Sequence, residues 1–270
     1  MYLQDEYALR PDLRLTGGAR YDYSSAHSER NVSPRLAVIY DATQTTTAKL
    51  LYGRAFRNPN AYESFYSFPG LQIGNPDLHP ERIRTTEAIV EHEPVAGMKL
   101  TAVLFSSTIE NLIQQVSDPA TGLLQFQNQA AFDTKGAELE AERRFRSGHQ
   151  IRTSYTRQNV DSSSGLTNVP RHLFKLNLSG PVLSERLTGG LEVQYTSERR
   201  TAAGSVGGFG VANFTLRYRA RTHPLEVSAS MYNLLDKRYA DPTAADPLVP
   251  LRTAVEQDHR VFRLQALYRF

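Results

Sequence analysis

The sequence predicts an all-β protein: an antiparallel, up-and-down transmembrane β-barrel in partial form, about thirteen strands of a larger barrel. Three observations carry this. Apolar and polar residues alternate along nearly the whole chain, many alternating runs reach about 10–12 residues, and the connections between runs alternate between short and long. A strand sends successive side chains to opposite sides, so a period of two means a sheet with unlike faces. Globular strands average about 5–6 residues, whereas a tilted membrane-spanning strand needs about 9–11.

In chain order the pattern places strands over 2–9, 12–23, 34–42, 46–54, 82–92, 98–115, 123–145, 149–159, 171–179, 186–197, 209–220, 224–234 and 259–270. Leu13, Leu15 and Tyr21 share a face in the second of these, with Arg14 and Arg20 opposite. Later strands set Leu191, Val193, Leu216 and Val227 against Glu138, Glu140, Glu192 and Arg217. The short connections are "RPD", "ATQ", "EPVAG", "RSGH", "GPVLSE" and "ARTH". The long ones include "SSAHSERNVS", the stretch 55–81, "NVDSSSGLTNVP", "SERRTAAGSVGG" and 235–258. Tight turns at one end and long loops at the other are the arrangement of an outer-membrane barrel, with short periplasmic turns and long extracellular loops. Tyr23, Tyr40, Tyr52, Tyr195, Tyr218 and Tyr268 stand near strand ends, where a ring can be apolar while its hydroxyl stays wet.

Composition excludes several classes. A net charge of +3 with no lysine or arginine run gives a nucleic-acid partner little electrostatic support. No cysteine is present, so disulfides and thiolate metal sites are absent. No apolar window of about 18 residues exists, so no transmembrane helix is expected. The opening "MYLQDEYALRPDL" lacks the basic and apolar regions of a secretion signal, so an exported protein would need a longer precursor. The seven histidines show no metal-ligand spacing, and "SSSG" and "GSVGG" lack the strand-to-helix context of a phosphate loop. No catalytic constellation, metal site or cofactor motif is legible, and Glu138, Glu140 and Glu142 on one face suit a water-filled lumen.

The pieces "LYGRAFRNPNAYESFY", "GNPDLHPE", "QNQAAFDTKGAELEAE" and "NLLDKRY", followed by a closing strand that ends in Phe270, occur in this order. As an ordered set they resemble the C-terminal barrel portion of the TonB-dependent outer-membrane receptors, over essentially all 270 residues. The resemblance implies a Gram-negative outer-membrane location. It also implies uptake of a scarce, bulky solute, commonly a ferric siderophore, haem or cobalamin, energised by the TonB complex. Outer-membrane lipid and the assembly machinery are further partners, the machinery reading a terminal strand whose signal here is Phe262, Leu264, Ala266, Tyr268 and Phe270. Family barrels have about 22 strands around a plug, so residues 1–270 read as a single C-terminal barrel portion, without plug or first strands and with edge strands at both ends.

Candidate substrate contacts lie in the long connections. Arg54, Arg57, Tyr62, Phe65 and Tyr66, with Phe68, combine guanidinium and aromatic groups suited to an anionic, flat-ringed ligand such as a ferric catecholate. Structural pairing of Arg54 and Arg57 with carboxylates is the plainer alternative. Arg199, Arg200 and Arg252 carry the same two readings. A small passive porin is the rival function, and an outer-membrane phospholipase or protease is a third.

Overall fold

The computed structural model describes residues 1–24, 29–160, 166–201, 204–243 and 253–270. In chain order the elements begin with β1 Tyr2–Arg10, β2 Leu13–Ser24, β3 Glu29–Thr43 and β4 Thr46–Arg57, then a short helix α1 Ala61–Phe65 and the two-residue β5 Gln72–Ile73. There follow β6 Glu81–His92, β7 Met98–Glu110, β8 Ile113–Ser117, β9 Leu124–Asn128 and β10 Phe132–Arg144. Next come β11 Gln150–Val160, β12 His172–Ser184, β13 Leu187–Thr196, β14 Arg199–Thr201 and β15 Gly204–Val206. The chain closes with β16 Phe209–Arg219, β17 Leu225–Tyr232, β18 Ala240–Pro242, β19 Ala254–Glu256 and β20 Val261–Tyr268.

Thirteen of these strands pair in sequence order, β1-β2-β3-β4-β6-β7-β10-β11-β12-β13-β16-β17-β20. That is the expected meander and the expected strand number. β1 and β20 stand at the two ends of the order, each with one neighbour. The remaining short strands form three small sheets inside the long connections.

Several expected boundaries are corrected, among them β12, which runs on to Ser184 past its expected end at 179. β3 starts at Glu29, so the loop before it is shorter than the sequence suggests. The run 98–115 is two strands, because Asn111 takes φ 56° and this left-handed residue turns the chain between β7 and β8. The run 123–145 divides into β9 and β10, and the stretch 55–81 contains α1 and β5 rather than only loop.

Contacts divide the chain into two units, one around Met1–Val90 and Leu104–Lys135, the other around Glu91–Val103, Gly136–Asn159 and most of the later chain. Within the first, register pairs Leu13 with Tyr40, Leu15 with Tyr7 and Val38, and Val38 with Leu50. Those residues therefore share an apolar face, while Glu6, Thr16 and Ala37 align on the other. Within the second, Leu178, Leu191, Phe214, Met231 and Phe262 form one continuous row. The row one residue along reads Asn177, Glu192 and Asn213, and Arg217 pairs with Ser228 on that same polar side. Leu13, Leu15, Tyr21, Leu191, Val193, Leu216 and Val227 thus fall on the apolar side and Arg14, Arg20, Glu192 and Arg217 on the polar side, as expected.

The apolar face is not a core. Among the described residues the buried apolar side chains are few: Leu78, Ile113, Phe132, Phe209 and Ala212, with Pro59 and Pro80. Leu36, Leu50 and Leu264 remain 58%, 51% and 77% exposed. A water-soluble domain of this length buries about 70–75% of the surface its unfolded chain exposes. These strands bury theirs only if lipid covers the apolar face.

Candidate functional site

The connection between β4 and β6 folds with the one between β7 and β10 into a compact loop assembly of the first unit. Asn60 caps α1: its side chain accepts from the Glu63 N–H at 2.9 Å, and Glu63 accepts from the Asn60 N–H at 2.8 Å. This reciprocal cap places the Glu63 carboxylate against Arg57. Arg57 Nη1 donates to both Glu63 oxygens at 3.0 and 2.9 Å. Its Nε and Nη2 donate to Glu81 at 2.6 and 2.8 Å, and Glu81 also accepts from the Ile113 N–H at 2.8 Å. One guanidinium thus joins the end of β4, the start of α1, the start of β6 and, through Glu81, the start of β8. A planar fork suits two carboxylates at once.

The motif "GNPDLHPE" supplies the rest of the frame. Gly74 passes so close to α1 that a Cβ there would lie 2.8 Å from the Ser64 carbonyl oxygen. Asn75 donates to the Phe126 carbonyl at 2.8 Å. Asn128 accepts from the His79 N–H at 2.8 Å and donates to the carbonyls of His79 and Asn111 at 2.9 and 2.8 Å. Leu78, Pro80 and Ile113 are buried between these anchors.

Over this frame β5, β9 and β8 form a small sheet, with β5 parallel to β9. Tyr62 stacks on Tyr66 with ring centroids 4.6 Å apart and meets Phe126 edge-on at 5.8 Å. Beneath them Gln72 is buried, accepting from the Tyr62 hydroxyl at 3.4 Å and from Gln115 at 2.9 Å. Tyr62, Phe65, Tyr66 and Phe68 stay exposed. Of the candidates named from sequence, Tyr62 and Tyr66 are brought together, and Phe65 lies in the same short helix as Tyr62. Arg57 is committed to its two carboxylates. Arg54 borders a trough of about 510 Å³ with Arg35, Gly53, Ala55 and Thr85.

In the second unit Arg199 holds three connections at once. It donates to Asn168 Oδ1 at 3.1 Å, to the Ala240 carbonyl at 3.1 Å and to Asp241 Oδ1 at 2.7 Å. Its guanidinium carbon lies 5.3 Å from the centre of the Phe209 ring, and the side chain is buried. Arg200 pairs opposite Ser205 in the β14–β15 hairpin, is exposed, and accepts at its carbonyl from the Asn168 N–H at 2.9 Å. Arg252 lies outside the described residues.

The motif "NLLDKRY" anchors the terminal strand. Asn233 is buried at φ 50°, donates to the carbonyls of Lys237 and Asp258 at 2.8 and 3.2 Å, and accepts from the Lys237 N–H at 2.9 Å. Asp236 accepts from the Arg260 N–H at 2.9 Å. That bond, with His259 beside it, holds the Asp236 carboxyl below the usual carboxylate range. In β20 itself Phe262 pairs with Met231, Leu264 with Ala229, Ala266 with Val227 and Tyr268 with Leu225; Phe270 follows and meets Tyr268 edge-on.

Glu63, Gln72, Glu81, Phe126, Asn233 and Asp241 were not singled out from sequence. The Asn60-to-Glu63 spacing was a readable cap signal, but the partners of Gln72 and Asp241 are brought in by the fold. Among the described residues, no group of three histidine, aspartate or glutamate side chains could hold a metal ion.

Residues 1–234 match the profile of the family described as TonB dependent receptor-like, beta-barrel. An iron-regulated outer membrane virulence protein of Vibrio cholerae is 25% identical over 264 residues, covering 87% of this chain and 40% of the relative. A vitamin B12 transporter, BtuB, of the same organism is 26% identical over 248 residues, with 87% and 37% covered. The chain thus spans about 40% of the length of these curated relatives. The solved ferric enterobactin receptor of Pseudomonas aeruginosa superposes with a TM-score of 0.80 at 19% identity, over 98% of this chain and 44% of that one. At that identity the likeness is one of fold.

Proposed function

Because the chain belongs to the TonB-dependent receptor family of outer-membrane β-barrels, we propose that it forms a C-terminal part of the barrel of a receptor importing a scarce, bulky solute. Energy comes from the TonB complex, and a ferric siderophore is the preferred solute class, with haem and cobalamin as alternatives. The observation that carries the reading is the division of labour in the sheet. Its strands present one apolar face fit for lipid, while the described parts of its long connections are fastened by side-chain hydrogen bonds. The iron-regulated and ferric enterobactin relatives support iron over cobalamin, and the BtuB match keeps cobalamin in view.

Arg54, Arg200 and Arg252 are the cations proposed to meet an anionic chelate, with Tyr62, Phe65 and Tyr66 as aromatic contacts. Arg57 and Arg199 act as positioning residues that hold the loops presenting them. The chemistry is binding and conformational release, without covalent steps.

Deleting the gene that encodes this segment and measuring radio-iron uptake from a ferric catecholate in iron-starved cells tests the proposal. The expected result is loss of an uptake component that an uncoupler of the inner-membrane proton gradient also abolishes. A lost component indifferent to the uncoupler identifies a passive channel and overturns the energised reading.

A further inference from the structure

The lipid-facing side of the second unit is interrupted near its periplasmic rim. Gly180 and Gly189 pair across the β12–β13 ladder, next to the pair of Leu178 and Leu191 on the same face. Neither glycine continues the apolar row, and a groove of about 600 Å³ lies there, lined also by Phe145, Ile151, Leu178 and Val182. A Cβ on Gly180 would come within 2.6 Å of the His149 ring, and one on Gly189 within 2.8 Å of a Val182 methyl. Both neighbours therefore dip toward the sheet at this point. The short turns 145–149 and 185–186 flank the groove, which places it at the level of the periplasmic leaflet. Ligand pockets span about 300–1,000 Å³, so a hydrocarbon chain has room to lie in it.

Beside the groove stand two cations that no acid holds. The Phe145 N–H donates to the His149 carbonyl at 2.9 Å, which in an antiparallel hairpin sets Arg143 across from Ile151. Ile151 pairs with Leu178, so Arg143 is level with the apolar row and points to the lipid side. Its guanidinium carbon lies 4.9 Å from the centre of the Phe145 ring, a wall of the groove, and its Nη1 is 3.8 Å from the Met98 sulfur. Arg146 follows in the turn and is exposed. Among the described residues neither Arg143 nor Arg146 makes an ion pair, whereas Arg144, on the other face, is taken by Glu142 at 2.8 Å. Ser147 Oγ and His149 Nδ1, 2.9 Å apart, add a polar edge at the mouth.

A charge on the lipid face is costly unless it reaches the headgroup layer and an anion there. A guanidinium fork matches two phosphate oxygens. Uncharged walls alone would take any hydrocarbon, and unpaired arginines alone would take any anion. Side by side they select a molecule that carries both an apolar chain and a negative headgroup.

We propose that the groove is a binding site for one anionic phospholipid of the periplasmic leaflet. An acyl chain lies along Ile151, Leu178 and the two glycines, and the phosphate meets Arg143 and Arg146. The bound lipid neutralises Arg143 within the apolar row and ties the β10–β11 turn to the β12–β13 turn. The site rests on the outer-membrane barrel fold and is independent of the imported solute.

The test uses the whole protein that carries this segment, purified in a zwitterionic detergent, stripped of lipid and titrated with radiolabelled dioleoylphosphatidylglycerol. Dioleoylphosphatidylethanolamine is the zwitterionic counterpart, and a triacylated lipopeptide is the phosphate-free one. A saturable phosphatidylglycerol component is expected, at least fivefold tighter than phosphatidylethanolamine. The double variant Arg143→Gln with Arg146→Gln should weaken it at least tenfold. Gly189→Leu, which fills the groove and leaves both cations, should weaken it as much. Arg221→Gln, in the short turn between β16 and β17, should stay within about twofold of the parent. Heat-modifiable migration checks that each variant is folded; should Gly189→Leu fail to fold, the two outward-facing arginines, which support no internal contact with an acid, decide the matter.

The proposal is overturned if no saturable component is found, if the arginine double variant leaves it unchanged, or if phosphatidylethanolamine binds equally well. It is also overturned if Arg221→Gln weakens binding as much as the double variant, since rim charge in general would then be responsible. Lipopeptide binding that equals phosphatidylglycerol and survives the arginine changes would assign the groove to a protein lipid anchor instead. None of these outcomes bears on the uptake experiment above.

Discussion

The long strands and the loops between them are stabilised in opposite ways. In most soluble proteins strands are buried and loops lie open to water. Here the middles of the long strands are almost free of buried residues, and burial gathers where the loops fold. Leu78 and Ile113 lie within the first loop assembly, Glu63, Ser64 and Gln72 line it, and Arg199 and Asn233 sit in the connections of the second unit. The strands need only a closed ladder of backbone bonds and a lipid-facing row, since hydrocarbon supplies their apolar environment. The loops meet water and must build small cores of their own, fastened by charged and amide side chains.

Breaking the strand side of this comparison should have the largest effect. Leu191→Arg puts a charge at the centre of the apolar row and should cost about 2–4 kcal/mol, whereas Glu192→Lys on the opposite face should cost about 0–1. The folded fraction after refolding into lipid vesicles measures both; equal penalties would mean that the faces do not differ in environment.

On the loop side, Arg57→Met leaves the Glu63 and Glu81 carboxylates without their shared partner. Discounted for the partial exposure of Arg57, the loss should be about 1–3 kcal/mol. It should be local: amide exchange should quicken in 58–80 and 111–128 while the centre of β13 stays protected. Loss of protection in both would join the two regimes into one.

Asn233→Ala removes three side-chain hydrogen bonds and asks alanine to hold φ 50°. The expected cost is about 1–3 kcal/mol, read as faster exchange in β20 relative to β16.

The smallest effect belongs to Asp236. Its carboxyl titrates below its ordinary value of 3.8 in the fold, chiefly through the Arg260 N–H. A depressed value stabilises the fold above the unfolded pKa, and that contribution disappears as pH falls through the folded one. Asp236→Asn should therefore flatten the acid limb of a stability–pH curve below about 4 and change little at neutrality. An unchanged acid limb would dissociate the latch from this carboxylate.

The strand lattice was legible in sequence because period two is a local signal that every long strand repeats. The loop cores were not, for the same reason inverted. "IQQVS" and "LQFQN" alternate as the long strands do, so the turn at Asn111 and the break after Asn128 were hidden within apparently continuous runs. The motifs "GNPDLHPE" and "NLLDKRY" were recognisable as a resemblance, but their work, tying loop to loop through Asn75, Asn233 and Asp236, depends on partners roughly 20 to 50 residues away. Arg57 and Arg199 show the same limit. Sequence supplies a cation in a loop, and only the fold decides whether its donors are already taken.

Because each long strand is joined only to its neighbours in sequence order, the lattice is nearly one-dimensional, as in repeat proteins. A change in one hairpin is felt by the next and then fades. Lineages can therefore lengthen, replace or exchange a single outer loop without renegotiating the register of distant strands. Sequence can drift far along such a scaffold without loss of the fold, as the 19% identity between this chain and a receptor of the same architecture shows.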